Sequence, residues 1–332
     1  MNNLNFQQKI ELFSASTAVG IMEGEGKLGE YYDIVSTDDL FGAKTWENAE
    51  IEMIKLSINH ALKCYLPSSK LPGFLFGGDL MNQCTAAAYA CLPFEVPYFG
   101  LYGACSTFAE GLILAACVLQ GSADKSAAVI ASSHYSTAER QYRFPLEYGC
   151  QRTPTSQRTV TGCGCALLRV QPQIRKSIYI TKARVGKMVD SGVKDANHMG
   201  AAMAPAAAKT LIEYLRSSNE SPDDYDLILT GDLGEIGAEL FSEMCKKEGL
   251  NLNSNHIDCG TQIFTYDQDP HAGASGCGCS AIYVCGYLQK IWRVKKLNRV
   301  LLIGTGALLS PLTIQQKNSI PGIAHLVCLE NE

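Results

Sequence analysis

The stretch PYFGLYGACSTFAEGLILAACVLQG, residues 97–121, places Cys105 between an apolar run typical of a strand and a helical pattern. Phe108, Leu112 and Leu119 recur at the spacing of one helix face. A thiol at a helix N-terminus lies beside unpaired N–H groups and the positive end of the helix dipole, which lower its pKa. Acyl-transfer enzymes place an activated cysteine at such a position, so we predict that Cys105 occupies a nucleophile site.

The composition indicates a globular α/β protein with a large core. The chain has 332 residues, of which 46% are hydrophobic, and this length predicts about two domains. The start MNNLNFQQKIE is polar and does not resemble a signal peptide. We predict that no apolar run reaches the roughly 18 residues that span a bilayer, and we therefore expect an intracellular protein. The 14 cysteines lack framework spacing, which indicates a reducing compartment. The net charge of -5 argues against nucleic acid as a partner.

Two halves of the sequence repeat the same order of elements. The corresponding segments are 73–80 and 226–234, 103–111 and 271–284, 126–133 and 299–309, and 161–170 and 322–330. Asp79 and Asp232 end the first pair, which predicts a loop-closing or capping role for both carboxylates. Strands that alternate with helices predict mostly parallel sheets covered by helices on both faces. We therefore predict two similar α/β halves, residues 1–172 and 173–332.

A cysteine at an elbow in the first half and a GASG turn at 273–276 in the second resemble the thiolase and ketoacyl synthase superfamily. Five motifs resemble more closely the stage V sporulation protein AD (SpoVAD) family: FGGDLMNQ (76–83), GLYGACST (100–107), RQYRFPLEYGCQRTPTSQRTVTG (140–162), TGDLG (230–234) and SIPGIAHLV (319–327). This resemblance implies a thiolase-like fold of duplicated α/β halves in five αβαβα layers, and a homodimer. It also implies an association with moving dipicolinic acid, with calcium, into the developing spore.

The residues that should assist Cys105 are changed in this sequence. Condensing enzymes of this fold need a thiolate, a His, and a second His or Asn from loops of the second half. Asp232 lies just after the strand DLILT, where synthases carry a His-containing motif. An ionised carboxylate cannot donate to an oxyanion. Alignment on the GASG turn puts Pro270 at the second His position and His271 one residue later. We therefore predict that Cys105 is vestigial and that the chain has no catalytic residue.

Residues 134–161 form an insertion-like stretch that is rich in arginine and aromatic residues. Its arginines are Arg140, Arg143, Arg152 and Arg158, and its aromatic residues Tyr135, Tyr142, Phe144 and Tyr148 lie next to or between them. Arginine grips a planar carboxylate with two hydrogen bonds, and aromatic faces suit a flat ring, a combination that fits dipicolinic acid. The predicted ligand-binding residues are Cys105, Arg140, Arg143, Gln157, Arg158, Thr159, Asp232 and His271. Alternatively, these arginines make ordinary surface or intersubunit ion pairs.

The leading hypothesis is a non-enzymatic protein that captures dipicolinate, alone or as its calcium chelate. It would serve a membrane transport assembly with SpoVA-type membrane proteins, peripheral to the spore inner membrane through those partners. No cofactor and no metal site in the protein itself is predicted, because calcium would arrive with the ligand. One alternative is an active ketoacyl synthase or thiolase that uses Cys105 with His271 and His134. Another is a purely structural subunit.

Overall fold

The computed structural model describes residues 3–65, 71–142, 152–170, 177–252 and 254–331. The strands are β1 (Asn3–Val19), β2 (Ile34–Val35), β3 (Phe74–Gly78), β4 (Tyr98–Leu101), β5 (Ser126–Ser133), β6 (Arg158–Thr159), β7 (Gly162–Val170), β8 (Ile178–Arg184), β9 (Leu227–Thr230), β10 (His256–Asp258), β11 (Ala274–Ser275), β12 (Arg299–Ala307) and β13 (Gly322–Asn331). The α-helices are α1 (Ile21–Gly24), α2 (Trp46–Tyr65), α3 (Thr85–Cys91), α4 (Thr107–Gly121), α5 (Tyr135–Tyr142), α6 (Met199–Ser218), α7 (Gly234–Lys247), α8 (Cys277–Ile282), α9 (Gln289–Val294) and α10 (Pro311–Gln315). A π-helical turn, Tyr283–Leu288, joins α8 to α9.

The strand order of the second half repeats that of the first. The first half has the order β1-β7-β5-β3-β4, and the second has β8-β13-β12-β9-β10. The predicted strand pairs β3 and β9, β5 and β12, and β7 and β13 therefore occupy equivalent places, which confirms the duplication. β1 pairs with β8, so hydrogen bonds join the two halves into one continuous sheet.

The prediction of mostly parallel sheets is wrong for the centre of the molecule. The pairs β3–β4, β3–β5, β9–β10 and β9–β12 are parallel, and they lie toward the outer edges. The pairs β1–β7, β5–β7, β8–β13 and β12–β13 are antiparallel. In each half the last strand, β7 or β13, runs antiparallel to its neighbour β5 or β12. Apolar runs do not reveal this reversal, because they mark a buried strand without its direction.

The helices form three layers around the strands of the two halves. On the outside of the first half, Ile54 of α2 and Ala87 of α3 pack with Ile130 of β5. On the outside of the second half, Leu211 of α6 and Phe241 of α7 belong to another apolar cluster. Helix α4 lies between the halves, because it contacts β3 and β5 as well as β12 and β13. This arrangement confirms the predicted five αβαβα layers.

Helix α4 is apolar because it is buried on both sides. Residues Ala104–Gly121 form an 18-residue window with a mean hydropathy of 1.4, which meets the length and composition of a membrane span. The sequence reading that no apolar run reaches this length is wrong on that criterion. Within the described ranges this is the one such helix, and 61% of the window is buried inside the fold. Core packing between the two halves therefore accounts for its composition.

The arginine-rich stretch is partly regular. It begins as helix α5 and ends with the short strand β6. Residues 143–151, which include Arg143, lie outside the described residues. Residues 171–176, where the boundary between the halves is predicted, lie outside them too. The position of that boundary stays a prediction.

Candidate functional site

Cys105 lies in a tight elbow between β4 and α4, as the sequence predicts. It belongs to a single 3-10 turn, Ala104–Ser106, and is 7% exposed. Ala104 has φ of 52°, a left-handed conformation that costs an L-residue about 1–2 kcal/mol. Local hydrogen bonds offset this cost. The Ser106 hydroxyl donates to the Gly103 carbonyl at 2.7 Å, and the Thr107 hydroxyl donates to the Ala104 carbonyl at 2.6 Å.

Strand β12 of the second half packs closely against the backbone of the elbow. A Cβ atom on Gly306 would lie 2.8 Å from the Gly103 carbonyl oxygen and 3.2 Å from the Ser106 nitrogen. Only glycine leaves room for the two backbones to approach this closely. The GTGALL segment at 304–309 matches no phosphate-binding fingerprint, and this contact is the structural reason for its glycines. Sequence reasoning missed this role.

The side chain that faces the Cys105 sulfur is Asp232. Its carboxylate lies close enough to the thiol to act on the thiol's pKa. Gly276 N donates to Asp232 Oδ2 at 3.0 Å, and the Thr305 hydroxyl donates to Oδ1 at 2.8 Å. Asp232 is 1% exposed, so these two neutral donors hold a buried carboxylate beside the elbow. Thr305 was not predicted, and the Gly-Thr-Gly sequence around it was the available signal.

The electrostatics of this pair keep the thiol protonated. Burial raises the pKa of Cys105 well above its ordinary value, and the Asp232 and Cys277 side chains raise it further. Burial raises the pKa of Asp232 to about 7, against the lowering effect of the hydrogen bonds from Cys105, Gly276 and Thr305. The prediction that the helix N-terminus lowers the pKa of this thiol is therefore wrong. Desolvation and a neighbouring carboxylate outweigh the helix dipole here.

A segment of the first half is joined to the GASG turn beside Asp232. Strands β6 and β11 pair in parallel, with Arg158 N donating to Gly273 O at 2.8 Å. The Gln157 side-chain Nε2 donates to the backbone carbonyls of Asp232 at 2.7 Å and Ala274 at 3.0 Å. Gln157 is 2% exposed. The structure therefore brings Gln157, Asp232 and Cys105 together, three of the predicted ligand-binding residues.

The neighbouring residues Thr159 and Arg158 have different surroundings. Thr159 pairs with Ser275 of the GASG turn, and a Cβ atom on Gly276 would lie 3.2 Å from its Cγ2. The Arg158 guanidinium lies 3.9 Å from the centre of the Tyr135 ring. It also lowers the pKa of the Glu23 carboxyl, which burial raises to about 7. Arg158 thus contacts a second group of residues, separate from the Cys105–Asp232 pair.

The remaining predicted residues make contacts of their own. His271 Nε2 lies 3.6 Å from the exposed Asp269 carboxylate, and the His271 backbone pairs with that of Gln157. The Arg140 guanidinium forms an exposed ion pair with Glu47 at 2.6 Å. Arg143 lies outside the described residues. A ligand-binding role for these three residues stays a prediction.

His134, which the alternative hypothesis recruits as a base, is part of the loop structure. Its Nε2 lies 2.8 Å from the Asp39 carbonyl, and its Nδ1 accepts a hydrogen bond from Ser136 N at 3.1 Å. Both ring nitrogens therefore have backbone partners. Burial also lowers the pKa of this imidazole, so it is neutral at physiological pH.

The fold is that of the thiolase-like enzymes. A crystal structure of OleA from Xanthomonas campestris matches with a TM-score of 0.63 at 13% identity, covering 98% of this chain and 99% of that one. The 3-oxoacyl-[acyl-carrier-protein] synthase III from Aquifex aeolicus matches with a TM-score of 0.58 at 13% identity, covering 97% and 99%. At such identities the likeness shows the fold alone. The protein is therefore a thiolase-like α/β protein.

The sequence comparison gives a closer assignment. The family model for stage V sporulation protein AD (SpoVAD) matches residues 1–330. Stage V sporulation protein AD of Bacillus subtilis (strain 168) is 42% identical over 325 residues, which cover 98% of this chain and 95% of that protein. The chain belongs to the SpoVAD family and is a sporulation protein. The predicted family is confirmed.

The protonated, buried state of Cys105 predicts low reactivity. Iodoacetamide should alkylate Cys64, which is exposed, at least about 100-fold faster than Cys105 in the native protein near neutral pH. Acyl-CoA should leave no thioester on Cys105. Mass spectrometry of peptides measures both modifications, and the denatured chain is the control in which the two thiols react alike. A Cys105 thioester that forms and turns over would instead support the acyltransferase alternative.

Proposed function

We propose that this chain is a non-catalytic receptor for dipicolinic acid, free or as its calcium chelate, that supports uptake of the acid into the developing spore. The observation that carries the proposal is the buried Asp232 carboxylate beside the Cys105 thiol. A condensation needs a thiolate and donors for a developing oxyanion. Here the pKa of the thiol is raised well above its ordinary value, and its partner is an acceptor. The synthases that share the fold are enzymes by their names, but this site lacks the activated nucleophile.

Arg158 and Tyr135 supply the chemistry that an aromatic dicarboxylate requires. The guanidinium offers paired donors for a carboxylate, and the Tyr135 ring at 3.9 Å offers an aromatic face. Both side chains are partly exposed, so a ligand can reach them. Arg140 could join them if its exposed pair with Glu47 opened, a change that costs about 0–1 kcal/mol. Thr159 and His271 belong to the same segment and turn.

Calorimetric titration with dipicolinate tests the receptor proposal. The wild-type chain should bind saturably, and Arg158→Ala should weaken binding about 10-fold or more, because a charge-assisted hydrogen bond contributes about 1.5–3 kcal/mol. Arg216→Ala is the matched control, since Arg216 makes an exposed ion pair with Glu248 on the far side of the second half. Its affinity should equal that of the wild type. Equal affinities for all three proteins would remove Arg158 from the site, and no wild-type binding would refute the proposal.

We place the receptor at the spore inner membrane through SpoVA-type membrane proteins. Membership of the SpoVAD family supports this part of the proposal. Vesicle flotation checks it: the chain should float with membranes that contain the SpoVA-type proteins and stay at the bottom of the gradient with protein-free liposomes. Equal flotation in both samples would mean direct lipid binding and would contradict the proposed route.

We also propose a homodimer formed through the edge of the first-half sheet. β4 ends the strand order on that side of the described sheet, and Phe99 on it is 45% exposed. An unpaired edge strand with exposed apolar side chains pairs readily with a second chain. Light scattering should give twice the monomer mass for the wild type and for Val294→Glu, an exposed control position. Phe99→Glu should give a monomer, and a dimer in that variant would exclude this interface.

A further inference from the structure

The buried end of the site contains a hydrogen-bond acceptor without a donor, the side-chain oxygen of Gln157. The orientation of the Gln157 amide is fixed because its Nε2 donates to two carbonyl oxygens, those of Asp232 and Ala274. The reverse orientation would set Oε1 against both of these oxygens. Gln157 Oε1 is therefore a buried acceptor, and the described part of the chain offers it no donor. Such a group costs about 1–3 kcal/mol unless something else donates to it.

Among the residues that the structure describes, the groups given as facing Asp232 do not balance its charge. The elbow contributes the Cys105 thiol, the GASG turn contributes Gly276 N, and β12 contributes the Thr305 hydroxyl, which are all neutral. The charged neighbour is the carboxylate of Asp258 at the end of β10. Cys259 and Cys279 also face Asp232, and burial raises the pKa of both thiols. The Arg158 guanidinium is directed to Tyr135 and Glu23 instead.

A second carboxylate at this end would therefore add negative charge to two buried carboxylates. Burying an anion without a partner is strongly unfavourable, and two acids in contact hold one proton between them for this reason. A protonated carboxyl group can donate a hydrogen bond to one buried acceptor, either the Asp232 carboxylate or Gln157 Oε1, which a carboxylate cannot.

We propose that an acidic ligand binds at the Cys105–Asp232–Gln157 site together with one proton from solvent, shared between the ligand carboxyl group and Asp232. This inference rests on the proposed receptor function and names the form in which the acid is taken up. The one bond that forms is an O–H bond on the pair of acids. The proton comes from the acid form of the buffer or from water on binding, and it returns to the conjugate base on release.

The direction of the pH effect follows from linkage. Burial raises the pKa of Asp232 to about 7 in the free protein, so the carboxyl group is ionised at higher pH. Ligand binding raises that pKa further, because the proton is then shared. Affinity is therefore full below the free pKa and falls about tenfold for each pH unit above it, since each bound complex must take up one proton.

Calorimetry on the full chain with dipicolinate near pH 8 tests the inference. Titrations in HEPES and in Tris, which differ in ionisation enthalpy, give the number of protons taken up. The wild type should take up about one proton per ligand, and its Kd should rise about tenfold from about pH 7.5 to 8.5. Asp232→Asn should bind with no proton uptake and with a Kd that changes less than about twofold over this range. Asp124→Asn removes an exposed carboxylate in the loop between α4 and β5 and should behave like the wild type.

The outcomes separate this inference from the receptor function. Dipicolinate binding by the wild type without proton uptake would overturn the inference and leave the receptor proposal intact. Proton uptake that persists in Asp232→Asn would overturn the role of Asp232. No binding at any pH would refute both proposals. Thermal unfolding checks that the variants fold, and if Asp232→Asn does not, the two-buffer comparison on the wild type still decides.

Discussion

The buried carboxylate of Asp232 holds the two halves of the molecule together at the functional site. It lies beside the Cys105 thiol of the first half and accepts hydrogen bonds from Gly276 and Thr305 of the second. Removing it would leave these buried donors without a partner, at a cost of about 1–3 kcal/mol for each polar one. The GASG turn and β12 therefore meet at a single side chain, which also lies beside the elbow. That side chain also determines the protonation of the thiol beside it.

The two halves use equivalent aspartates differently. Asp79 follows β3 and accepts hydrogen bonds from Met81 N and Ala87 N, so it closes its loop and caps α3 as predicted. Asp232 follows β9 in the equivalent place, but Asp258 accepts from Leu233 N and Gly234 N at the start of α7. Asp258 thus takes over the capping role, which leaves Asp232 to face Cys105. The capping prediction holds for one half and is wrong for the other.

The sequence predicted the fold better than the site. Element order and apolar runs are local signals, and they were enough for the duplicated halves, the layers and the elbow at Cys105. Strand direction depends on connections whose composition is ordinary, so the antiparallel centre was missed. The pKa of Cys105 depends on burial and on Asp232, which is far from it in the sequence, so no local pattern reveals either effect. The helix dipole was visible in the sequence and proved the weaker effect.

The change from an activated to a protonated thiol alters what the site can do with an acid. A thiolate beside donor imidazoles is a nucleophile that attacks carbonyl groups. Because it is also an anion, it repels carboxylates. A protonated thiol beside a carboxylate attacks nothing and adds no charge. Gln157 Oε1 and Asp232 then form an acceptor surface that favours a ligand with a hydrogen-bond donor, whereas Arg158 beside Tyr135 favours one with negative charge. A dicarboxylic acid that keeps one proton has both properties. Its protonated end can donate to Gln157 or Asp232, and its ionised end can accept from Arg158.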